Sequence, residues 1–484
     1  MFLFTIWLCR WRFNPGLRDR MQLLTVEEFI SLTDGTIQGP VNLTATIEGC
    51  VIDSRQVRNG DAFFALSGSQ QHGVQYCSDA LRDGAVVVVV DDACSVRCTT
   101  PHVRVPDAEI ALAVLANHNR HQSEALVIGI TGSVGKTTAR RMIATVLETV
   151  HTGIQSPRNF NNHLGVPLSL LELQQGDEFA VIEIGASGPG EIRALSSIAE
   201  PEMAVITRIA PCHLRRFQSL QTIQREKARL IAALPEDGVA FLNNDDPLVS
   251  ELRNCTRARV VTFGTTGSPD VLATSVVADN GRLKVTVDGV EYIVPVCGRH
   301  NASSVLAAIA VGMEIGVPAE KIQEGLKKFQ PEAGRCVVAQ VGAWTVIDDT
   351  YNSSPASVSA AIHTLEEFSD CHHRVLVLGD MLDLGDQAAD QHYGIGASLA
   401  SSAVDHIAVM GEFAADVVEG FRASGGDLNR ISEFEDLNTL TSMLDCILSD
   451  DDAVLIKGSR ATQMERVIQQ LQSLNEQPSL SRAA

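Results

Sequence analysis

From Met21 the chain repeats one pattern, short apolar runs that end in turn residues, separated by stretches whose apolar positions fall at helical spacing. MQLLTVEEFISL opens it. DAFFAL at 61–66 and AVVVVV at 85–90 read as strands, and the three together predict a small α/β module. EIALAVLANHNRH then carries a helical stripe, and ALVIGIT at 125–131 is a buried strand leading into a glycine-rich turn. FAVIEIG, MAVITRI and GVAFLN repeat the strand signal with helix-compatible sequence between them, the rhythm of a mainly parallel sheet covered by helices. The rhythm pauses near QPEAGR and resumes with WTVIDD, RVLVLGD, DHIAVMG and AVLIKGS, a further doubly wound unit. The expected organisation is α/β in three domains at residues 21–106, 107–333 and 334–484. Because Met21 opens the first regular pattern, residues 1–20 are set apart as a start-site extension or a disordered tail; their apolar run is too short for a membrane span, and its basic residues follow it instead of preceding it as in a secretion signal.

A length of 484 residues agrees with several cores, and 45% apolar with 20% charged residues is the composition of a soluble globular protein. The net charge of -21 argues against nucleic acid and against anionic membrane surfaces as partners. Eleven cysteines lie scattered, and Cys94 and Cys98 form an isolated close pair. That usage predicts reduced thiols in a cytoplasmic protein, with neither a structural zinc site nor a catalytic cysteine.

Residues 130–138, ITGSVGKTT, follow a strand and precede a helix, the order a phosphate cradle requires. Gly132 and Gly135 let backbone N–H groups turn towards phosphate oxygens, Lys136 supplies charge, and Thr137 offers a hydroxyl to magnesium. Ser133 and Thr138 complete the loop, which makes the central domain a P-loop ATPase-like sheet for ATP or GTP. The strict pattern asks for glycine where Ile130 stands. Glu183 ends one strand and His213 follows another, which places both on the rim that carries the phosphate loop. Considered alone, Glu183 reads as a solvated strand end, His213 as a surface loop residue and Lys227 as a solvated lysine on a helix striped by Ile223, Leu230 and Leu234.

The TGSVGKTT form resembles the Mur ligases and their relative folylpolyglutamate synthase. NFNNHLGVPLSLL at 159–171, EIGASGPGEI at 183–192 and GRHNASSVLAA at 298–308 extend the resemblance to the Mur ligases over nearly the whole chain. DDTYNSSPAS at 348–357 and LGDMLDLGD at 378–386 resemble the branch that adds D-alanyl-D-alanine to the UDP-N-acetylmuramoyl-tripeptide, and the DNPR-type motif of the diaminopimelate- or lysine-adding branch is missing.

The resemblance implies an ATP-dependent amide-bond ligase working through an acyl phosphate, monomeric and not membrane-inserted, with a Rossmann-like third domain. It implies that Glu183 and His213 position Mg2+, that Lys227 carries a carbamate serving as a further metal ligand, and that Asn301 and Asp349 hold the nucleoside of ATP. Arg335 would reach the phosphates. Ser54 and Arg55, in DSRQVRNGDAFFALSG, match the uridine-nucleotide module, and Asn162 is a further substrate candidate. Read without the family, Asp53-Ser54-Arg55 is equally a turn ending a strand, and Asn301 equally a helix cap. After His213 the chain departs from the family, with Arg215 where an acidic residue is usual. Another amino-acid-adding ligase, a folylpolyglutamate synthase and a catalytically silent nucleotide-binding protein are the competing expectations, and the third residue of the acceptor peptide stays open.

Overall fold

The computed structural model describes residues 24–68 and 72–476; the expected extension at 1–20 lies outside them. The chain divides into two compact units that alternate along the sequence. The first runs to Ile209 and takes in Gln221–Leu242 and Pro247–Val261, and the second takes Ala210–Leu220, Asn243–Asp246 and everything from Thr262.

The first unit begins with α1 (Val26–Thr33), started by a reciprocal cap in which Thr25 Oγ1 accepts the Glu28 N–H and Glu28 reaches back to the Thr25 N–H. A five-stranded sheet follows, made of β1 (Thr36–Gln38), β2 (Gly49–Val51), β3 (Asp61–Phe64), β4 (Val87–Asp91) and β5 (His102–Val105). Its order is β1-β5-β4-β3-β2, parallel except for β1. The helix α2 (Ala108–Gln122), capped by Asp107, leads to the central strands β6 (Leu126–Thr131), β7 (Gly153–Gln155), β8 (Phe179–Glu183), β9 (Met203–Ile206) and β10 (Val239–Asn243). These lie in the order β10-β9-β6-β8-β7, all parallel. Every residue of β6 is buried, which explains its unbroken apolar run: both faces of a parallel sheet are covered. Between the strands run α3 (Lys136–Leu147), α4 (Glu191–Ala199) and α5 (Leu220–Ala232). Leu234 lies beyond the end of α5, so it is buried from the following turn and not on the helical stripe the sequence suggested.

Where the sequence predicts a mainly parallel rhythm, the chain also builds an antiparallel meander. After β11 (Arg259–Gly264), β12 (Val271–Asp279), β13 (Arg282–Val287) and β14 (Val290–Val294) pair as successive hairpins. The two-residue turns are Asn280-Gly281 and Asp288-Gly289, all four residues at positive φ, the chemistry that tight hairpins require.

The helix α6 (Ala302–Ile315) precedes the second large sheet, made of β15 (Val337–Val341), β16 (Trp344–Asp349), β17 (Arg374–Gly379), β18 (His406–Met410), β19 (Ile431–Phe434) and β20 (Ala453–Lys457). The order is β15-β16-β20-β17-β18-β19, parallel apart from the edge strand β15. Leu376, Leu378 and Leu455 pack into the core on one face, and Val375, Val377 and Val454 into the core on the other. The α/β architecture with mainly parallel sheets is the one the sequence predicts. Its edge strands β15 and β19 carried no distinct sequence signal. Among the described residues no helix is long and apolar enough to cross a membrane.

Candidate active site

The turn after β6 is fastened to the end of β9. Thr207, one residue past that strand, donates its hydroxyl proton to the Val134 carbonyl at 2.6 Å, and the Ser133 N–H donates to the Arg208 carbonyl at 2.6 Å. A Cβ on Gly132 would strike the Thr207 hydroxyl, so only glycine lets the loop lie this close to its neighbour. Gly135 takes φ 84° and hands the chain to α3, whose first residue, Lys136, folds back to donate to the Gly132 carbonyl at 3.0 Å. Thr138, next on α3, is half-buried.

Thr137 and Glu183 meet as the sequence predicts. The Thr137 hydroxyl donates to Glu183 Oε2 at 2.8 Å, and Asn161 Nδ2 donates to Oε1 at 2.8 Å. Glu183 is only 1% exposed, which corrects its reading as a solvated strand end. Its own N–H donates to Ser156 Oγ at 3.0 Å, and the buried Arg140 of α3 holds the carbonyls of Ser156 and Arg158. Both donors to the carboxylate are neutral. A buried carboxylate beside a hydroxyl fits a hard divalent cation that draws its remaining ligands from water and phosphate oxygens, as magnesium does. Among the described residues no three His, Cys, Asp or Glu side chains gather into a protein-only metal cluster.

Lys227, on α5, is also 1% exposed, so the reading as a solvated helix lysine fails. Its neighbour Glu226 accepts the N–H groups of Gly190 at 2.9 Å and Ile192 at 2.7 Å, capping α4. His213 belongs to the second unit and is exposed at φ 47°; its carbonyl accepts the N–H groups of Arg216 and Phe217, starting the short helical turn Leu214–Phe217. Arg215 on that turn is exposed.

Asn301, Arg335 and Asp349 also lie in the second unit. Asn301 stands at the N-cap position of α6 without capping it, because Nδ2 donates back to the Cys297 carbonyl at 2.8 Å. The Arg335 guanidinium lies 4.2 Å from the centroid of the Tyr351 ring, a cation–π contact. Asp349 receives Lys457 Nζ at 2.6 Å, and the same ammonium donates to the Asn352 carbonyl at 2.9 Å. In the first unit, Ser54 and Arg55 open a 3-10 turn whose N-cap is Asp53. Arg55 is exposed and donates to both Asp53 oxygens, holding that carboxyl below its ordinary value. Exposed Asn162 accepts the N–H groups of Leu164 and Gly165.

Asn161, Ser156, Thr207, Tyr351 and Lys457 were not singled out from the sequence. Asn161 and Tyr351 sit inside motifs that were, and Thr207 and Lys457 lie at strand C-terminal ends, the signal that could have found them.

Family models match the chain in three consecutive blocks: Mur ligase family, catalytic domain, at 46–120; Mur ligase middle domain at 130–312; and Mur ligase, glutamate ligase domain, at 334–460. The chain belongs to the Mur ligase family, ATP-dependent enzymes that form peptide bonds. Its relatives include the UDP-N-acetylmuramoyl-tripeptide--D-alanyl-D-alanine ligases of Bacillus subtilis, 31% identical with 92% of this chain and 98% of that one covered, and of Treponema pallidum, 33% identical with 92% and 98% covered. Among solved structures it resembles MurF from Acinetobacter baumannii, with TM-score 0.83, 29% identity and coverage of 94% and 99%. It also resembles the MurF ligase of Thermotoga maritima in complex with ADP, with TM-score 0.77, 26% identity and coverage of 88% and 98%.

Proposed function

We propose that this chain joins D-alanyl-D-alanine to the UDP-N-acetylmuramoyl-tripeptide at the expense of ATP, giving the pentapeptide precursor of peptidoglycan, ADP and phosphate. The observation that carries the reading is the phosphate loop whose Thr137 hydroxyl rests on buried Glu183, in a chain that matches dipeptide-adding ligases over more than nine-tenths of its length.

A carboxylate is a poor electrophile. Transfer of the γ-phosphoryl group to the terminal carboxylate of the tripeptide gives an acyl phosphate and ADP; the dipeptide amine then attacks the acyl carbon, loses a proton and expels phosphate. In this reading the backbone from Gly132 to Gly135 cradles the phosphates, Lys136 leaves the Gly132 carbonyl to meet them, and Ser133 and Thr138 add hydroxyl contacts. Magnesium, when bound, offsets phosphate charge, and Thr137, Glu183, His213 and a carbamate on Lys227 are its assigned ligands. Asn301 and Asp349 serve the nucleoside, Arg335 the phosphates, and Ser54, Arg55 and Asn162 the UDP-linked substrate. The three-domain division at 21–106, 107–333 and 334–484, a monomeric state and a cytoplasmic location complete the proposal.

The carbamate reading is supported by the burial of Lys227. A bare ammonium buried near a metal site would repel the cation, whereas the neutral amine adding to carbon dioxide with loss of a proton becomes an anionic oxygen ligand. Carbon-13 NMR of protein equilibrated with labelled bicarbonate should show a carbamate resonance that Lys227→Ala removes. An unchanged spectrum in that variant rejects the assignment. The function itself is tested by incubating the protein with ATP, magnesium, tripeptide substrate and dipeptide. A product mass equal to the two substrates less water is expected, and its absence with folded protein rejects the reading.

A further inference from the structure

Three cysteines that the ligase chemistry leaves unused come near one another in the first unit. Cys77 is fully buried at the start of the short helix Cys77–Arg82, and Cys98 is half-buried in the loop 92–101 that joins β4 to β5; their thiols are in hydrogen-bonding contact. Cys94 stands further off, within electrostatic reach of Cys77, with its sulfur 3.9 Å from His72 Nδ1. That nitrogen already accepts the Val74 N–H at 3.2 Å, and among the described residues no three ligand side chains gather, so the group is a thiol pair and not a metal cradle. Burial first, and then the neighbouring Cys98, holds the Cys77 thiol protonated well above the ordinary cysteine range. One thiol of the pair is therefore shielded and the other is open to reagents in solution.

The pair adjoins the turn assigned to the UDP-linked substrate. Val51 and Val57, on either side of Asp53-Ser54-Arg55, pack against the same small core as Cys77, Cys94 and Cys98. The helix that Cys77 opens lies beside that turn, and Tyr76, the residue before it, is within electrostatic reach of Arg55. Further back the segment is pinned: the Gly73 N–H donates to the Leu66 carbonyl at 2.8 Å, and a Cβ on Gly73 would strike the Ala65 backbone. With that end fixed, a pull on Cys77 is taken up by Tyr76 and the turn beside it.

We propose that Cys77 and Cys98 are a reversible oxidation site, which hydrogen peroxide closes to a disulfide and which then weakens binding of the UDP-linked substrate at Ser54 and Arg55. The Cys98 thiol gives its proton to water and its sulfur attacks one peroxide oxygen, leaving a sulfenic acid and a hydroxide that takes up the proton. The Cys77 sulfur then displaces the sulfenic oxygen, which departs as water with the Cys77 proton. Two thiols and one peroxide become one disulfide and two waters. The bond draws the sulfurs to about 2 Å, closer than a hydrogen bond between thiols leaves them, and exchange with a dithiol reopens it. The effect on substrate rests on the assignment of Ser54 and Arg55 to the UDP-linked substrate, whereas formation of the bond does not.

Protein treated with hydrogen peroxide, alkylated and digested without reductant should yield the Cys77 and Cys98 peptides joined, two hydrogens lighter than their sum, and dithiothreitol should part them. Cys98→Ser and Cys77→Ala should each abolish the joined species. In the oxidised wild type the KM for the UDP-N-acetylmuramoyl-tripeptide should rise about threefold to tenfold, the size of one disturbed polar contact, while the KM for ATP stays near its reduced value. The Cys98→Ser enzyme should keep both values under peroxide. Free Cys77 and Cys98 thiols after treatment, or a bridge from either to Cys94, overturn the site. A mapped bridge with an unchanged tripeptide KM, or with tripeptide and ATP values that rise together, overturns its effect on the substrate. Reduced, folded protein that joins no dipeptide overturns the functional reading, while the peptide map still decides the oxidation site.

Discussion

Glu183 is held at one oxygen by Thr137 and at the other by Asn161, and the two contacts predict different losses. Thr137 is assigned to the metal itself, whereas Asn161 only orients the carboxylate. Asn161→Ala should therefore raise the magnesium concentration needed for half-maximal turnover by about tenfold to a hundredfold, the usual effect of removing a partner of a metal ligand, with turnover recovered at saturating magnesium. A variant with unchanged magnesium dependence would show that Glu183 does not need this hold. Lys136→Ala should lower turnover on the order of a hundredfold or more at any magnesium concentration, with the thermal midpoint preserved, because among the described residues its ammonium donates only to the loop carbonyl it rests on. The loop, Glu183 and their meeting were legible because the spacing of ITGSVGKTT is chemistry in itself and a strand end fixes its neighbour. The burial of Lys227 was not legible, because a helix shows which residues share a face but not what covers that face.

At the scale of elements, the parallel strands announced themselves as apolar runs, since both of their faces are covered. The meander of β12 to β14 interrupts their rhythm, and Asn280-Gly281 and Asp288-Gly289 spell its two hairpin turns. The βα rhythm on either side outweighed a local signal that is among the strongest a sequence offers. Those turns can be tested without disturbing any packing at Gly289, where an added Cβ meets nothing within 4 Å and the whole penalty comes from φ 79°. Gly289→Ala should cost about 1 kcal/mol, read as a lowered thermal midpoint with ligation kinetics unchanged. A larger loss would reveal contacts of the turn beyond its backbone. Glu226→Gln gives a second reading at this scale. The amide keeps one oxygen for the N-terminus of α4 but turns its NH2 group towards the second N–H, so stability should fall by about 1–3 kcal/mol, the cost of a buried donor left without an acceptor.

For the molecule as a whole, the resemblance of the segments after β16 and β17 to dipeptide-adding ligases predicts a preference for D-alanyl-D-alanine over diaminopimelate, lysine or D-glutamate as the amine. Competition between the dipeptide and each free amino acid, followed by product mass, measures it. More efficient joining of a free amino acid would reject the branch while keeping the ligase class. The alternation of the two units along the chain carries a further consequence, for the order in which the protein can be made. The first unit needs α5 and β10, which arrive only after the second unit has begun at Ala210, and its last segment ends at Val261. A ribosome that has released the chain as far as Ile209 holds β9 with no β10 to pair against, an open and apolar sheet edge. The nascent protein is therefore most exposed to misassociation during the synthesis of about fifty residues. A fragment ending at 209 should aggregate more than one ending at 264, in which β11 lies beside β10.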